Sequence, residues 1–383
     1  MNGESWSSSL LLLVAGAKGA VGSTVAVAVA AMRAQPRKVL PSLTTAGMFP
    51  RLAPPQAIQI AGWDISARTL IQSIRQHRVL MEDHWTPYKG HLRRVEIRAA
   101  PPERSDLAGQ VKRLVRDITD FKKQHPGCRP ILANLLPACG QVDLSRCRSL
   151  TQLNDKADPA AFPDLAYAIA AVLSGVPVIN FTSNPVEIPP IVREAERQHV
   201  PMAGRDGKTG QTYLKVVIAS ALKARNLKVD GWYSLNILGN EDGRNLTDPN
   251  KAKEKLANKT EVLDEVLGYR VGEGYGEPTH KVHIDYYPPR GDAKEAWDVI
   301  DFSGLFGLPM SLRVNLMARD SVLAAPLVID LARWMAALQM AGRSGLVPEL
   351  ALYFKRPLGP NPPLTFQDQL AALEALHQAI HPP

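Results

Sequence analysis

Ser9-Leu-Leu-Leu-Leu-Val-Ala-Gly16-Ala-Lys18-Gly19-Ala20-Val21-Gly22-Ser-Thr-Val-Ala-Val-Ala-Val-Ala30 decides the reading of the fold. A short apolar run, three glycines and an Ala-rich run follow one another in the order strand, tight turn, helix. In a doubly wound sheet such a turn sets backbone N–H groups and the positive end of a helix beside a pyrophosphate. Gly16, Gly19 and Gly22 are therefore candidate dinucleotide contacts, together with Ala20 and Val21 at the start of the helix. Lys18 stands where the usual fingerprint has its middle glycine. A purely structural strand–turn–helix would use the same residues, and the turn alone leaves both readings open.

The flanking sequence extends the pattern. Ala57 to Ala61 reads as a second buried strand ending in Gly62-Trp63-Asp64-Ile65. Asp64 then falls where a dinucleotide fold puts its ribose-binding carboxylate, or it caps a helix starting near Ser66. The Pro-rich loop from Pro36 to Pro55 reads as an insertion between the two strands. Helices are expected over residues 65–79, 107–123 and 160–173. Strands are expected at 130–134, ending in Asn134, and at 176–181, breaking into Thr182-Ser183-Asn184-Pro185. Strands alternating with helices imply a parallel sheet, whose ligands bind at the carboxyl ends of its strands, so Asn134 and Thr182 join the candidate cofactor residues.

The texture changes near Gly204. A polar, glycine-punctuated loop precedes an expected helix over 213–225. Strand-like segments follow at 229–238, 280–287, 297–302 and 312–316, with a charged helical stretch over 250–267 between the first two. These read as a second, more antiparallel layer inserted in the first domain. An Ala-rich helix over 322–341 and a short one over 365–377 close the chain. The expected division is residues 1–204 with 311–383, and residues 205–310.

Composition narrows the function classes. The 45 Lys and Arg against 37 Asp and Glu give a net charge of +8 over 383 residues, and 45% of residues are hydrophobic, as in a folded globular protein. The basic stretch from Lys89 to Lys123 is interleaved with acids and carries no zinc or helix-turn-helix signature. It reads as a solvated helical face, and no nucleic-acid partner is expected. An anionic substrate fits the charge equally well. No apolar run reaches the ~18–20 residues of a membrane span, and Leu10–Ala17 lacks a cationic leader, so no membrane partner is expected. Three cysteines are too few and too odd in number for a disulfide framework, which suits a reducing cytoplasm. The nine histidines show no metal-ligand spacing, and no metal site is expected; His280 and His283 read as ordinary polar positions.

Two further stretches carry chemistry: Asp206-Gly-Lys208-Thr209-Gly210-Gln211-Thr212-Tyr-Leu-Lys215, and Gly239-Asn-Glu-Asp-Gly243-Arg244-Asn-Leu246. Backbone N–H groups, threonine hydroxyls and cations together make an anion nest, and a desolvated lysine can move protons. Two polar surface turns would have the same composition.

At this point the chain resembles the myo-inositol-1-phosphate synthase family. The resemblance rests on Gly62-Trp-Asp-Ile65, Asp206-Gly-x-x-Gly-Gln-Thr-x-Leu-Lys215 and Ser234-Leu-Asn-Ile-Leu-Gly239-Asn-Glu-Asp-Gly243. It continues through Lys255-Leu-Ala-Asn-Lys259, Gly291-Asp-Ala-Lys294, Asp320-Ser-Val-Leu-Ala-Ala-Pro-Leu-Val-Ile-Asp330 and Tyr353-Phe-Lys355-Arg-Pro357, in family order over nearly the whole chain. The fold it implies is α/β: a Rossmann-like doubly wound parallel sheet with an inserted α+β catalytic and oligomerisation domain, assembling as a homotetramer. The activity it implies is an isomerisation with no net redox change. NAD+ oxidises C5 of open-chain glucose 6-phosphate, an enediol forms, an intramolecular aldol step joins C6 to C1, and the hydride returns to give a cyclitol phosphate. Lys215 and Lys355 match its catalytic lysines, Lys255 a further one, and Asp206 and Asp292 its supporting acids. Lys208, Thr209, Gly210, Gln211, Thr212 and Arg244 match phosphate-binding positions, and Asp320 and Ser321 cofactor contacts.

The chain also departs from the family. Relatives carry a lysine at the position of Gln211 or of Tyr213, and this chain has neither. An arginine such as Arg244 binds oxyanions but cannot act as a base. The alternative substrate is therefore another hexose phosphate, such as fructose 6-phosphate, closed to a five-membered cyclitol phosphate. Further alternatives are a simple NAD-dependent dehydrogenase and a non-catalytic NAD-binding protein.

Overall fold

The computed structural model describes residues 9–35, 48–49, 51–102, 104–139, 143–240, 243–244 and 262–380. Its strands are β1 (Leu10–Ala15), β2 (Ile58–Asp64), β3 (Glu96–Ala99), β4 (Arg129–Asn134), β5 (Val178–Asn180), β6 (Pro201–Gly204), β7 (Lys228–Leu238), β8 (His280–Tyr286), β9 (Ala293–Ser303), β10 (Pro309–Arg319) and β11 (Gly345–Leu346). The chain divides into two compact units, one of residues 1–206, 324–347 and 377–383, the other of 207–323 and 348–376.

The first unit holds a seven-stranded parallel sheet in the order β3-β2-β1-β4-β5-β6-β11. The 3-2-1-4-5-6 order is that of a doubly wound nucleotide fold. All six residues of β1 are buried, because helices cover both faces of a parallel sheet and leave no position for a polar side chain. Trp63 of β2 anchors one face. Its ring meets Phe121 and Tyr167 edge-on at 5.3 and 5.6 Å, and its indole N–H donates to Asp117. Register brings Ala15 opposite both Trp63 and Asn134, and Asn134 opposite Asn180, so the carboxyl ends of β1, β2, β4 and β5 form one edge.

The second unit is built on a four-stranded sheet in the order β10-β9-β7-β8, antiparallel except for the β7–β8 pair. The helix Gln211–Ala224 packs Val216, Ala219 and Leu222 on Val229, Trp232 and Ile300 of that sheet. The sheet is thus mixed, and more antiparallel than parallel. The expected break at 310/311 falls at the start of β10, which pairs along its length with β9.

Other expectations shift at the boundaries. The helix expected over 65–79 begins at Leu70, where Thr69 and Gln72 form a capping box. Asp64 therefore caps no helix. Residues 96–99, expected within a solvated helical face, form β3, with helices at Lys89–Leu92 and Leu107–Gln124 on either side. The helix expected from 160 begins at Asp164, just after Pro163. Of the charged stretch 250–267, residues 250–261 lie outside the described residues and 262–267 are helical. The helix Asp320–Met340 is long and apolar enough by composition to cross a membrane, but 78% of its most apolar window is buried inside the protein. Its Arg333 and Asp330 form a fully buried ion pair at 2.8 Å, as expected of a core helix.

Candidate active site

At the carboxyl edge of the parallel sheet, Gly16 takes φ +84° and its N–H, with that of Ala17, donates to the Trp63 carbonyl. A side chain at Gly22 would put Cβ 2.5 Å from the Gly16 carbonyl oxygen, so the turn closes only with glycine there. The helix Ala20–Ala34 starts from Gly19 with no side-chain cap, leaving its first backbone N–H groups to an outside acceptor. Asp64 accepts from Lys18 N–H through Oδ2 at 2.7 Å and from Ser66 N–H through Oδ1 at 2.8 Å. The Lys18 ammonium caps the Ser66 carbonyl, and His77 Nε2 sits 2.8 Å from the Lys18 carbonyl. Lys18 thus stiffens the turn where the fingerprint has glycine.

Next along the same edge, Asn134 donates to Asp164 at 2.7 Å and to Asn180 at 3.2 Å, and Asn184 donates to the same Asp164 oxygen. Thr182 accepts from Asn184 N–H, and its carbonyl accepts from Asp206 N–H at 2.7 Å. Asp206 is buried with φ +61°. Burial pushes the Asp164 carboxyl up and the Glu187 carboxyl up to about 7, the latter opposed by Arg205 and by the Asn180 amide.

In the second unit the loop before the helix Gln211–Ala224 and the sheet face beneath it share two polar clusters. In the first, Asp320 bridges Thr209 and Lys294, each at 3.2 Å, while Ser321 and Asn240 donate to Asp292. Burial raises the Asp292 carboxyl, and its Oδ2 has no hydrogen-bond partner among the described residues. In the second, Asp298 accepts from Ser234 at 2.5 Å, Trp232 at 2.7 Å and Gln211 at 2.9 Å. The Lys215 amine lies 3.3 Å from Ser234 Oγ, 2.6 Å from His280 Nε2 and over the Trp232 ring. Desolvation brings that amine down to about 8, against the pull of Asp298. An amine so placed can take and return protons near neutral pH.

The remaining expected residues fall as follows. Lys208 is buried and its amine donates to the Ala351 carbonyl and to Gln369 Oε1, with desolvation lowering it to about 7. Gly210 closes against Leu316 and Leu323, and Thr212 is buried on the helix behind it. Gly207 bridges Phe354, which brings the half-buried Lys355 to the same loop. The Arg244 guanidinium sits 5.8 Å over the Tyr286 ring. Lys255 lies outside the described residues.

Sequence reading passed over His280, Ser234, Asn236, Asp298 and Lys294 as site residues, along with Asp164, Asn180 and Glu187. A signal for the first group existed: Trp232, Ser234, Asn236 and Leu238 alternate on β7, so two polar residues share the buried face of a strand. Polar side chains at core positions need partners.

Fold and site define a class: a doubly wound α/β protein with an uncapped glycine turn on one unit and a buried lysine–carboxylate apparatus on the other. Residues 210–321 match the model of the myo-inositol-1-phosphate synthase family. Over 91% of its length the chain is 32% identical to the inositol-3-phosphate synthase 1 of Bacteroides thetaiotaomicron, covering 89% of that protein. It is 29% identical to the probable inositol 3-phosphate synthase isozyme 3 of Arabidopsis thaliana over 72% of the chain, and the match spans only 59% of that longer relative. The crystal structure of inositol-3-phosphate synthase from Caenorhabditis elegans has the same fold, with a TM-score of 0.83 at 22% identity over 97% of this chain and 86% of that one. The chain belongs to the myo-inositol-1-phosphate synthase family, a family of isomerases.

Proposed function

We propose that the chain is an NAD-dependent sugar-phosphate cyclase that turns glucose 6-phosphate into a myo-inositol phosphate with no net oxidation. The observation that carries this is Lys215, a buried amine lowered to about 8 and hydrogen-bonded to side chains rather than locked in an ion pair. Lys294 on β9 and Asp292, the residue just before that strand, are further polar groups for the sugar. Enolisation and aldol closure both need protons moved at neutral pH and anionic oxygens stabilised by fixed partners. In this reading Lys215, Lys355 and Lys255 exchange protons with the substrate, and Asp206 and Asp292 support the amines and hydroxyls. Thr209, Gly210, Gln211, Thr212 and Arg244 belong to the phosphate side, whereas Lys208, expected there too, spends its amine on the Ala351 carbonyl and Gln369.

The residues of the first unit fit a dinucleotide. Gly16 and Gly22 leave a turn that a Cβ would fill, and the Ala20 and Val21 N–H groups have no side-chain cap. Gly19 and Lys18 would line the pyrophosphate, Asp64 the ribose, and Asn134 and Thr182 the far end. NAD, when bound, supplies a hydride acceptor that is restored within each turnover.

A second substrate has one observation behind it. Gln211 and Tyr213 stand at the two positions of which the family resemblance implies a lysine at one or the other; the Gln211 amide is engaged by Asp298, and Tyr213 packs on Phe366. Neither supplies a cation, which favours fructose 6-phosphate and a five-membered ring. Incubation with NAD+ and each hexose phosphate, followed by NMR of the product, tests both. Inositol phosphate from glucose 6-phosphate supports the first; a cyclopentane product from fructose 6-phosphate alone supports the second; net NADH with an open-chain keto sugar would refute both.

The oligomer belongs to the same proposal. The edge strand β10 leaves Met310, Leu312 and Met317 exposed, next to an exposed Leu305, Phe306 and Leu308. An unpaired apolar edge of this kind suits a partner subunit, here in a homotetramer. A cytoplasmic location belongs to the same proposal, on three cysteines being too few and too odd in number for a disulfide framework.

A further inference from the structure

We propose that His280 is the positioning residue of Lys215: its Nε2 accepts a hydrogen bond from the lysine amine and keeps that amine set for proton exchange with the substrate. The inference rests on the acid/base role given to Lys215 above. The contact is 2.6 Å and both side chains are buried. His280 is the first residue of β8 and pairs in register with Trp232, whose ring lies 5.4 Å from the same amine. The histidine is therefore fixed by backbone pairing on one side of Nζ, with the indole on another.

The groups around Nζ explain why a histidine is useful there. Ser234 on β7 spends its hydroxyl proton on Asp298 of β9, so it offers Lys215 only a lone pair. Asp298 is held by Ser234, Trp232 and Gln211 and makes no ion pair with Lys215. The two groups that touch the amine, Ser234 Oγ and His280 Nε2, are a hydroxyl and an imidazole rather than a carboxylate. A carboxylate at contact would hold the ammonium charged, whereas neutral acceptors orient it and still let it release a proton. For Nε2 to accept, the imidazole carries its own proton on Nδ1. In the step itself one proton passes from a substrate C–H or O–H to the lone pair of Nζ and later returns. No covalent bond to the histidine forms, and nothing is oxidised.

The test uses the full chain with NAD+ and the variants H280L and H280Q, since glutamine Oε1 can replace Nε2 as acceptor. H280L is expected to lower kcat about tenfold or more with KM for the sugar phosphate nearly unchanged. The Lys215 protonation midpoint, followed by NMR of Cε-labelled lysine and assigned with K215R, is expected to move to lower pH in H280L. The acid limb of the kcat profile should move with it, and H280Q should recover most of both. An unmoved midpoint in H280L, or an H280Q indistinguishable from H280L, would overturn the proposal. The lysine titration needs no turnover, so it reports on the His280–Lys215 link even if no hexose phosphate is cyclised.

Discussion

Lys215 and Lys208 are both buried amines on one loop-and-helix segment, yet their surroundings differ. Lys215 faces hydroxyl, imidazole and indole groups, whereas Lys208 is spent on a backbone carbonyl and the Gln369 amide. Replacing Lys215 by Met should reduce turnover at least about a hundredfold, the usual scale for a lost acid/base group, with NAD binding retained in a fluorescence titration. Lys208 makes its mark on stability. Its amine falls from 10.5 to about 7 on folding, so between those values the unfolded chain holds a proton that the folded chain has lost. Stability therefore rises with pH across that window, by about 1.4 kcal/mol per pH unit as an upper limit. Thermal melts from pH 7 to 10 should show this rise in the wild type and a flatter course in K208M; parallel courses would contradict it. Both lysines stand out in the sequence because a glycine-rich loop carries or precedes them. His280 does not, because a lone histidine at a strand start has no sequence signature and only the β7–β8 register brings it to Lys215.

At the scale of elements, the first strand, turn and helix were legible because an all-apolar run, φ-permissive glycines and alanines each have one common use. The short strands β3 and β6, of four residues each, were not anticipated: too few residues alternate to outvote the charged or polar sequence around them. Within the glycine turn, Gly22→Ala would force Cβ to 2.5 Å from the Gly16 carbonyl and 2.9 Å from the Ala17 backbone. Overpacking of this kind costs about 1–3 kcal/mol, enough to weaken NAD binding about 5- to 150-fold in a calorimetric titration. Unchanged affinity would remove the turn from the cofactor site. The β9 carboxylate Asp298 gathers three buried donors, and D298A should lower stability by about 3 kcal/mol in denaturant melts.

At the scale of the molecule, the insertion of a sheet-and-helix unit into a doubly wound domain was legible from the change of texture near Gly204. Its far boundary was not. Chain order hides that β10 completes the second sheet and that residues 348–376 rejoin that unit. The exposed edge of β10 should support assembly, so L312K with F306D is expected to yield smaller species in sedimentation velocity, and an unchanged oligomer would move the interface elsewhere. In the proposed cycle one hydride leaves C5 of the sugar phosphate and returns within the same turnover. Glucose 6-phosphate carrying deuterium at C5 tests it directly. The expected product is an inositol phosphate that keeps the label while the near-ultraviolet absorbance shows no net NADH. Accumulation of deuterated NADH in step with substrate loss would contradict it and make the chain a dehydrogenase.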